Sequence, residues 1–208
     1  MPVALARLVG RRVRAAGGPF QVGLGVDSAV LAALPRLGEL PAPWGRVGIW
    51  QVDEGVRPES DPARAWPRVW AELAVPATFH GIPVDPLGDP SGARAAERHA
   101  AALGGPPARG VLDLVVLPLA VDGGVAGLRP GSGALRERGD IAVVPGQPAV
   151  VTLTLSAFVR ARALVLLATG AECRAAVRGV LAGDLAFPAA RLRHPDFVLL
   201  ADEAAGGG

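Results

Sequence analysis

Apolar positions change their period several times along the chain, and each change marks an element. Val3, Leu5, Leu8, Val9 and Val13 fall near helical spacing with arginines on the other side. This predicts an amphipathic surface helix over 3–15, ended by Gly17-Gly18. Phe20–Leu24 reads as the first strand, and Gly25-Val26-Asp27-Ser28 as the turn into a helix over about 29–37. Strand, glycine turn and helix open a βαβ unit whose helix amino terminus suits an anion. After a turn at Trp44-Gly45, residues 47–52 predict a second buried strand that ends in Asp53-Glu54. Trp66, Val69, Trp70 and Leu73 recur at spacings of three and four, the stripe of a core-facing helix over 64–73.

The second half repeats the alternation. His80 falls in an edge or connecting segment at 78–83, and a helix over 93–103 follows, with Asp89 or Ser91 as N-cap and His99 on a partly exposed face. Residues 112–117 are apolar except for Asp113, the mark of a strand buried on both faces. Asp122, Gly123 and Gly124 come next, then Arg129-Pro130-Gly131. An acid and two glycines after a buried parallel strand stand where open α/β sheets place ligand chemistry; the same residues also serve a tight turn for backbone geometry alone. Residues 141–144 predict a short strand, 148–155 a half-buried one and 163–168 a buried one. Thr169-Gly170 lead into a helix over 171–181, and 197–200 form the last strand. The alternation predicts one three-layer α/β/α domain over 1–205 with a mostly parallel sheet, followed by a disordered tail at 206–208.

Composition narrows the chemistry. No apolar run reaches the ~18 residues of a membrane-spanning helix, and Arg11, Arg12 and Arg14 precede no apolar signal region, so a cytoplasmic protein without membrane contact is expected. A net charge of +2 with scattered arginines predicts no nucleic-acid stripe. All 21 basic residues are arginine, so no lysine is available for a Schiff base or an ammonium–phosphate contact. An anion must be held by arginine forks or backbone N–H groups. The single cysteine, Cys173, allows no internal disulfide and no cysteine-based metal site, and its place on a helix predicts a half-buried inert thiol. GLGVDS is not a dinucleotide fingerprint, because Ser28 occupies the third glycine position. No cofactor and no metal are expected.

Residues 112–132, LDLVVLPLAVDGGVAGLRPGS, resemble the signature loop LLGxGxDGHxASLFPGS of the 6-phosphogluconolactonase and glucosamine-6-phosphate isomerase family. Asp122, Gly123, Ala126, Leu128, Pro130, Gly131 and Ser132 fall on the pattern, and Gly124 stands where the family has histidine. VGIWQVDEGVRP is similar to hxGDERxVP: Asp53 and Glu54 match, Gly55 replaces the arginine, and Arg57 is placed to reach the same space. The loop at 58–63 resembles a PDSN-like stretch without its Ser-Asn pair. VTLTL and SAFVRARALVLLATGAE resemble a carboxyl-terminal segment in which Arg162, Thr169, Gly170, Ala171 and Glu172 match and Cys173 replaces lysine. Pro188 to Arg191 resembles a family turn, and Asp202-Glu203-Ala204-Ala205 the usual ending. Where the family has an SGGSTP-like phosphate loop only Ser28 matches, and Asp27 sets an acid against a phosphate dianion.

The resemblance, from about 20 to 205, implies the family fold and hydrolysis of 6-phosphogluconolactone in carbohydrate metabolism, with a small phosphosugar as ligand. It implies Asp122, Asp53 and Glu54 as catalytic candidates and Ser28, Arg57, Gly123, Arg129, Arg162, Thr169 and Gly170 as substrate-binding candidates. Gly124 cannot move a proton, so a second reading stands beside it: a non-catalytic pseudoenzyme that binds a phosphosugar or a protein partner. Glucosamine-6-phosphate deamination is a third. Asp53, Asp122 and the helix amino ends near Ser28 and Ala171 are expected to converge at one sheet edge. Beside Gly124 a gap is expected where an imidazole would sit, filled by water or by a neighbour such as His80 or an arginine. A relocated histidine (His80, His99 or His194) would restore the base.

Overall fold

The computed structural model describes residues 1–58, 66, 69, 73 and 75–207. In chain order come α1 (Pro2–Ala15), β1 (Phe20–Leu24), α2 (Ser28–Gly38), β2 (Val47–Gln51), β3 (Asp53–Gly55) and β4 (Thr78–His80). They are followed by α3 (Ala93–Gly104), β5 (Leu114–Pro118), β6 (Ile141–Val144), β7 (Val150–Leu153) and α4 (Leu155–Arg160). The chain ends with β8 (Leu164–Ala168), α5 (Arg174–Ala182), β9 (Phe197–Ala201) and α6 (Glu203–Gly206).

Six strands pair in the order β4-β2-β1-β5-β8-β9, all parallel. The chain builds outward from β1 to β4, returns to β5 on the other side of β1, and builds outward again. Side chains of the inner strands alternate between two cores. On β5, Leu114 and Val116 pack with α1 and α2, whereas Val115 and Leu117 face the core that holds Phe158 of α4 and Val177 of α5. A strand buried on both faces has no polar side, which is why its apolar run is nearly unbroken. The result is the three-layer α/β/α arrangement with a parallel central sheet. Trp66, Val69 and Leu73 are buried in the α1–α2 core; the rest of the stripe over 64–73, Trp70 included, and the loop after Pro58 lie outside the described residues.

A second sheet departs from the expectation of one sheet. β3, β7 and β6 pair antiparallel in that order. Asp53 and Glu54 therefore do not end the second strand; they begin β3. The crossing is made at Val52, whose N–H donates to Leu24 of the large sheet at 3.4 Å and whose carbonyl accepts from Leu153 of the small one at 2.8 Å. The predicted strand over 148–155 is shorter because the Thr154 hydroxyl accepts from the Ala157 N–H at 3.2 Å and starts α4.

Four further expectations are corrected. The N-cap of α3 is Gly92, at φ 76°, and neither Asp89 nor Ser91, although Asp89 accepts from Ala95 N–H at 3.1 Å and Ser91 from Ala93 N–H at 3.3 Å. His99 is 2% exposed, not partly exposed. Its Nε2 bonds the Gln51 carbonyl at 3.0 Å, and its ring meets Trp50 edge-on at 5.9 Å. Cys173 is buried, its thiol donating to the Leu119 carbonyl at 3.5 Å, and burial pushes its pKa up, so the thiol is inert. Gly206, expected in the tail, closes α6, which Asp202 caps through the Ala205 N–H at 2.8 Å. Among the described residues no helix is long and apolar enough to cross a membrane.

Burial of His99 disfavours its charged form and lowers its pKa from 6.5 to about 4. Its contribution to stability is present above 6.5 and is lost as pH falls toward 4. A histidine-selective NMR titration of the folded protein is expected to place this imidazole near 4; a midpoint above 6 would contradict the buried placement.

Candidate active site

The reversal of strand order between β1 and β5 opens a crevice at their carboxyl ends, the place where open parallel sheets bind ligands. A cleft of about 250 Å³ lies there. Gly25, Val26 and Asp27 form one wall, Leu119 and Ala120 another, and Asp53, Ala126 and Arg129 complete it. Gly25 bonds the Val116 carbonyl at 2.9 Å, and a Cβ on it would stand 2.8 Å from Pro118 Cδ, so glycine lets the two strand ends stay this close. Asp27 is the N-cap of α2 and accepts the Val30 N–H at 2.8 Å. Burial raises its pKa against that stabilising bond.

Asp53 reaches the cleft because the chain crosses between the sheets just before it. Gln51, 2% exposed, clamps the crossing. Its Nε2 donates to the Asp53 carbonyl at 3.2 Å and to Glu54 Oε2 at 2.7 Å, and its Oε1 accepts the Ile82 N–H at 2.8 Å. Sequence reasoning missed Gln51, although a lone amide in the apolar run VGIWQV was a visible signal. Burial, and then the neighbouring Glu54 carboxylate, push the Asp53 pKa up to about 6, against the pull of Arg129. A carboxylate with that pKa is a competent proton acceptor near neutral pH.

Asp122, Gly124 and Arg129 form a compact turn. The Asp122 carboxylate accepts the Gly124 N–H at 2.9 Å and Arg129 Nη1 at 3.0 Å. The space beside Gly124 is filled by an arginine: a Cβ at 124 would lie 2.8 Å from Arg129 Cδ and 2.8 Å from the Leu128 carbonyl oxygen. No gap shaped for an imidazole remains. An arginine is one of the expected neighbours, and no histidine takes that place. His80 stacks on Trp50 with ring centroids 3.8 Å apart, His99 bonds Gln51, and His194 bonds the Asp196 and Ala161 carbonyls. None bonds Asp122, whose partners are Gly124 and Arg129.

The other candidates divide by position. Ser28 is the exposed first residue of α2, beside the cleft. Glu54 is buried beneath it against Gln51. The Arg57 side chain folds over Gly55, its Nε 3.0 Å from where a Cβ would be. Gly123 has φ 76° and packs under Phe187, a structural position. Thr169 and Gly170 follow β8 on the same edge, with the Gly170 N–H held by Asp202 at 3.1 Å. Arg162 is not brought to the site: it precedes β8 at the opposite sheet edge and pairs with Asp113 at 3.1 Å. Of the groups expected to converge at one edge, Asp53 and the amino end of α2 line the cleft and Asp122 joins them through Arg129, whereas the helix end near Ala171 follows β8 without lining the cleft.

Comparison with known proteins agrees with this architecture. The sequence profile of the glucosamine-6-phosphate isomerases/6-phosphogluconolactonase family matches residues 5–200. A 6-phosphogluconolactonase of Caulobacter vibrioides is 30% identical over 210 aligned positions, 93% of this chain and 87% of that protein. The crystal structure of 6-phosphogluconolactonase from Leishmania guyanensis superposes with a TM-score of 0.83 at 21% identity, over 100% of this chain and 94% of that one. A structure of a monomeric glucosamine-6-phosphate deaminase gives 0.79 at 17% identity, over 98% and 93%. Profile, relative and fold agree, and the chain belongs to the glucosamine-6-phosphate isomerase/6-phosphogluconolactonase family.

Proposed function

We propose that the cleft hydrolyses a sugar lactone, with Asp53 as general base and Arg129 as the cation facing the developing oxyanion. The observation that carries this reading is Asp53 itself: a half-buried carboxylate lining the cleft, with a pKa raised to about 6, opposite an arginine, at the switch point of the sheet. The relationship to the Caulobacter lactonase supports the reaction class. A water oxygen attacks the lactone carbonyl carbon while Asp53 takes its proton. Negative charge collects on the carbonyl oxygen, where a guanidinium is most effective. The ring C–O bond then breaks, and the alkoxide takes the proton back from Asp53. Asp122 holds Arg129 in place, and Gln51 holds the strand that carries Asp53.

Gly124 favours a second reading, a pseudoenzyme that binds a sugar derivative or a protein partner without turnover. A rate assay with lactone generated in place separates the two. Turnover above the spontaneous rate supports the hydrolase, and ligand-induced thermal stabilisation without turnover supports the binder.

For the hydrolase, kcat/KM is expected to rise with pH through about 6 and then level, following Asp53 ionisation. Asp53→Asn is expected to lower it by about 10²–10⁴-fold, and a flat profile would argue against Asp53 as base. The same substitution has a stability signature. A carboxylate whose folded pKa exceeds its unfolded value costs stability as pH rises through that window, here from 3.8 to about 6. Asp53→Asn is therefore expected to raise Tm at pH 8 relative to the native protein and to lose that advantage at pH 4. Gly124→His is expected to lower Tm and leave activity unimproved, because the new Cβ meets Arg129 and the Leu128 carbonyl. A gain in turnover from this variant would show that the turn can open for an imidazole.

A further inference from the structure

We propose that the substrate of this cleft carries no phosphate: it is an uncharged, polyhydroxylated lactone. The inference rests on the lactonase reading of the same site and narrows it. Three features of the cleft-bearing edge suit an anion, and each is met by one of the chain's own carboxylates; Asp122 and Asp202 match the family pattern, so the departure that argues against phosphate is Asp27 in the phosphate loop. At the amino end of α2, the Asp27 carboxylate accepts the Val30 N–H at 2.8 Å, where a phosphate oxygen would otherwise sit. After β8, Asp202 accepts the Gly170 N–H at 3.1 Å and the Ala205 N–H at 2.8 Å. Across the cleft, Arg129 is paired with Asp122 at 3.0 Å. With Asp27, Asp53 and Asp122 set against the one guanidinium of Arg129, the balance of charge around the cleft is negative at neutral pH. A phosphate dianion would have to expel a carboxylate to bind, and the sequence holds no lysine to offset it.

An uncharged lactone meets none of this opposition. Its hydroxyls are donors, and a carboxylate such as that of Asp27 has acceptor capacity beyond one amide bond. Hydrolysis adds water across the ring ester and yields a hydroxy acid, which releases a proton and becomes an anion. The same negative lining that excludes phosphate then drives the product out.

The test compares gluconolactone with 6-phosphogluconolactone on the whole chain, each corrected for spontaneous hydrolysis. The unphosphorylated lactone is expected to have the higher kcat/KM by roughly tenfold or more. Asp27→Asn keeps the helix cap, since asparagine accepts the same amide bond, and is expected to shift the ratio toward the phosphorylated lactone by a similar factor. A preference of the native protein for the phosphorylated lactone overturns the proposal while leaving the hydrolase reading intact, and so does a ratio unmoved by Asp27→Asn. If neither lactone is turned over, the hydrolase reading fails and the proposal falls with it, an outcome distinct from a preference for the phosphorylated lactone, which overturns the proposal alone.

Discussion

The parallel pairing of β1 with β5 is the contact on which the rest of the molecule depends. Residues 22–24 lie in register with 114–116, although the two strands are almost a hundred residues apart in sequence. β2 and β4, which lie between them in sequence, build one half of the large sheet and β8 and β9 build the other, so this pairing both closes the large sheet and creates the crevice. It relies on small residues. A Cβ at Gly23 would come within 2.8 Å of Leu112 and 3.2 Å of Val115, and Gly25 faces the same limit from Pro118. Alanine at Gly23 would displace the Leu112 side chain, and alanine at Gly25 would meet the Pro118 ring at the point where the ligand is expected.

Much of this was legible in the sequence because the inner strands announce themselves. Residues 112–117 and 163–168 are apolar on both sides, and burial on both faces is the physical cause of such runs. The family resemblance located Asp53 and Asp122. The small antiparallel sheet was not legible. β3 has three residues, one of them glycine, and its identity as a strand comes from its partner β7, not from its own pattern. Arg162 was misplaced because the matching motif gives no direction along the strand; it stands before β8, whereas Thr169 and Gly170 stand after it. His99 was misjudged because helix α3 packs its histidine against Trp50, a tertiary contact that helical periodicity cannot supply.

Buried polar groups beneath the cleft form a connected set. Trp50 Nε1 donates to Gln21 Oε1 at 2.8 Å, His80 stacks on the same indole, His99 bonds the Gln51 carbonyl, and Gln51 reaches Glu54. Such networks favour a single arrangement where their members are satisfied, as Gln21, Gln51 and His99 are here, whereas His80 Nε2 is buried without a hydrogen-bond partner among the described residues. The arrangement selected here is the one that delivers Asp53 to the cleft wall.

Val52 belongs to both sheets at once, donating to one and accepting from the other. Asp53 is the next residue, so its carboxylate sits at the seam where the two sheets meet. Its raised pKa comes mainly from burial at that seam, and the backbone bonds of Val52 thereby help to set an acidity as well as a shape.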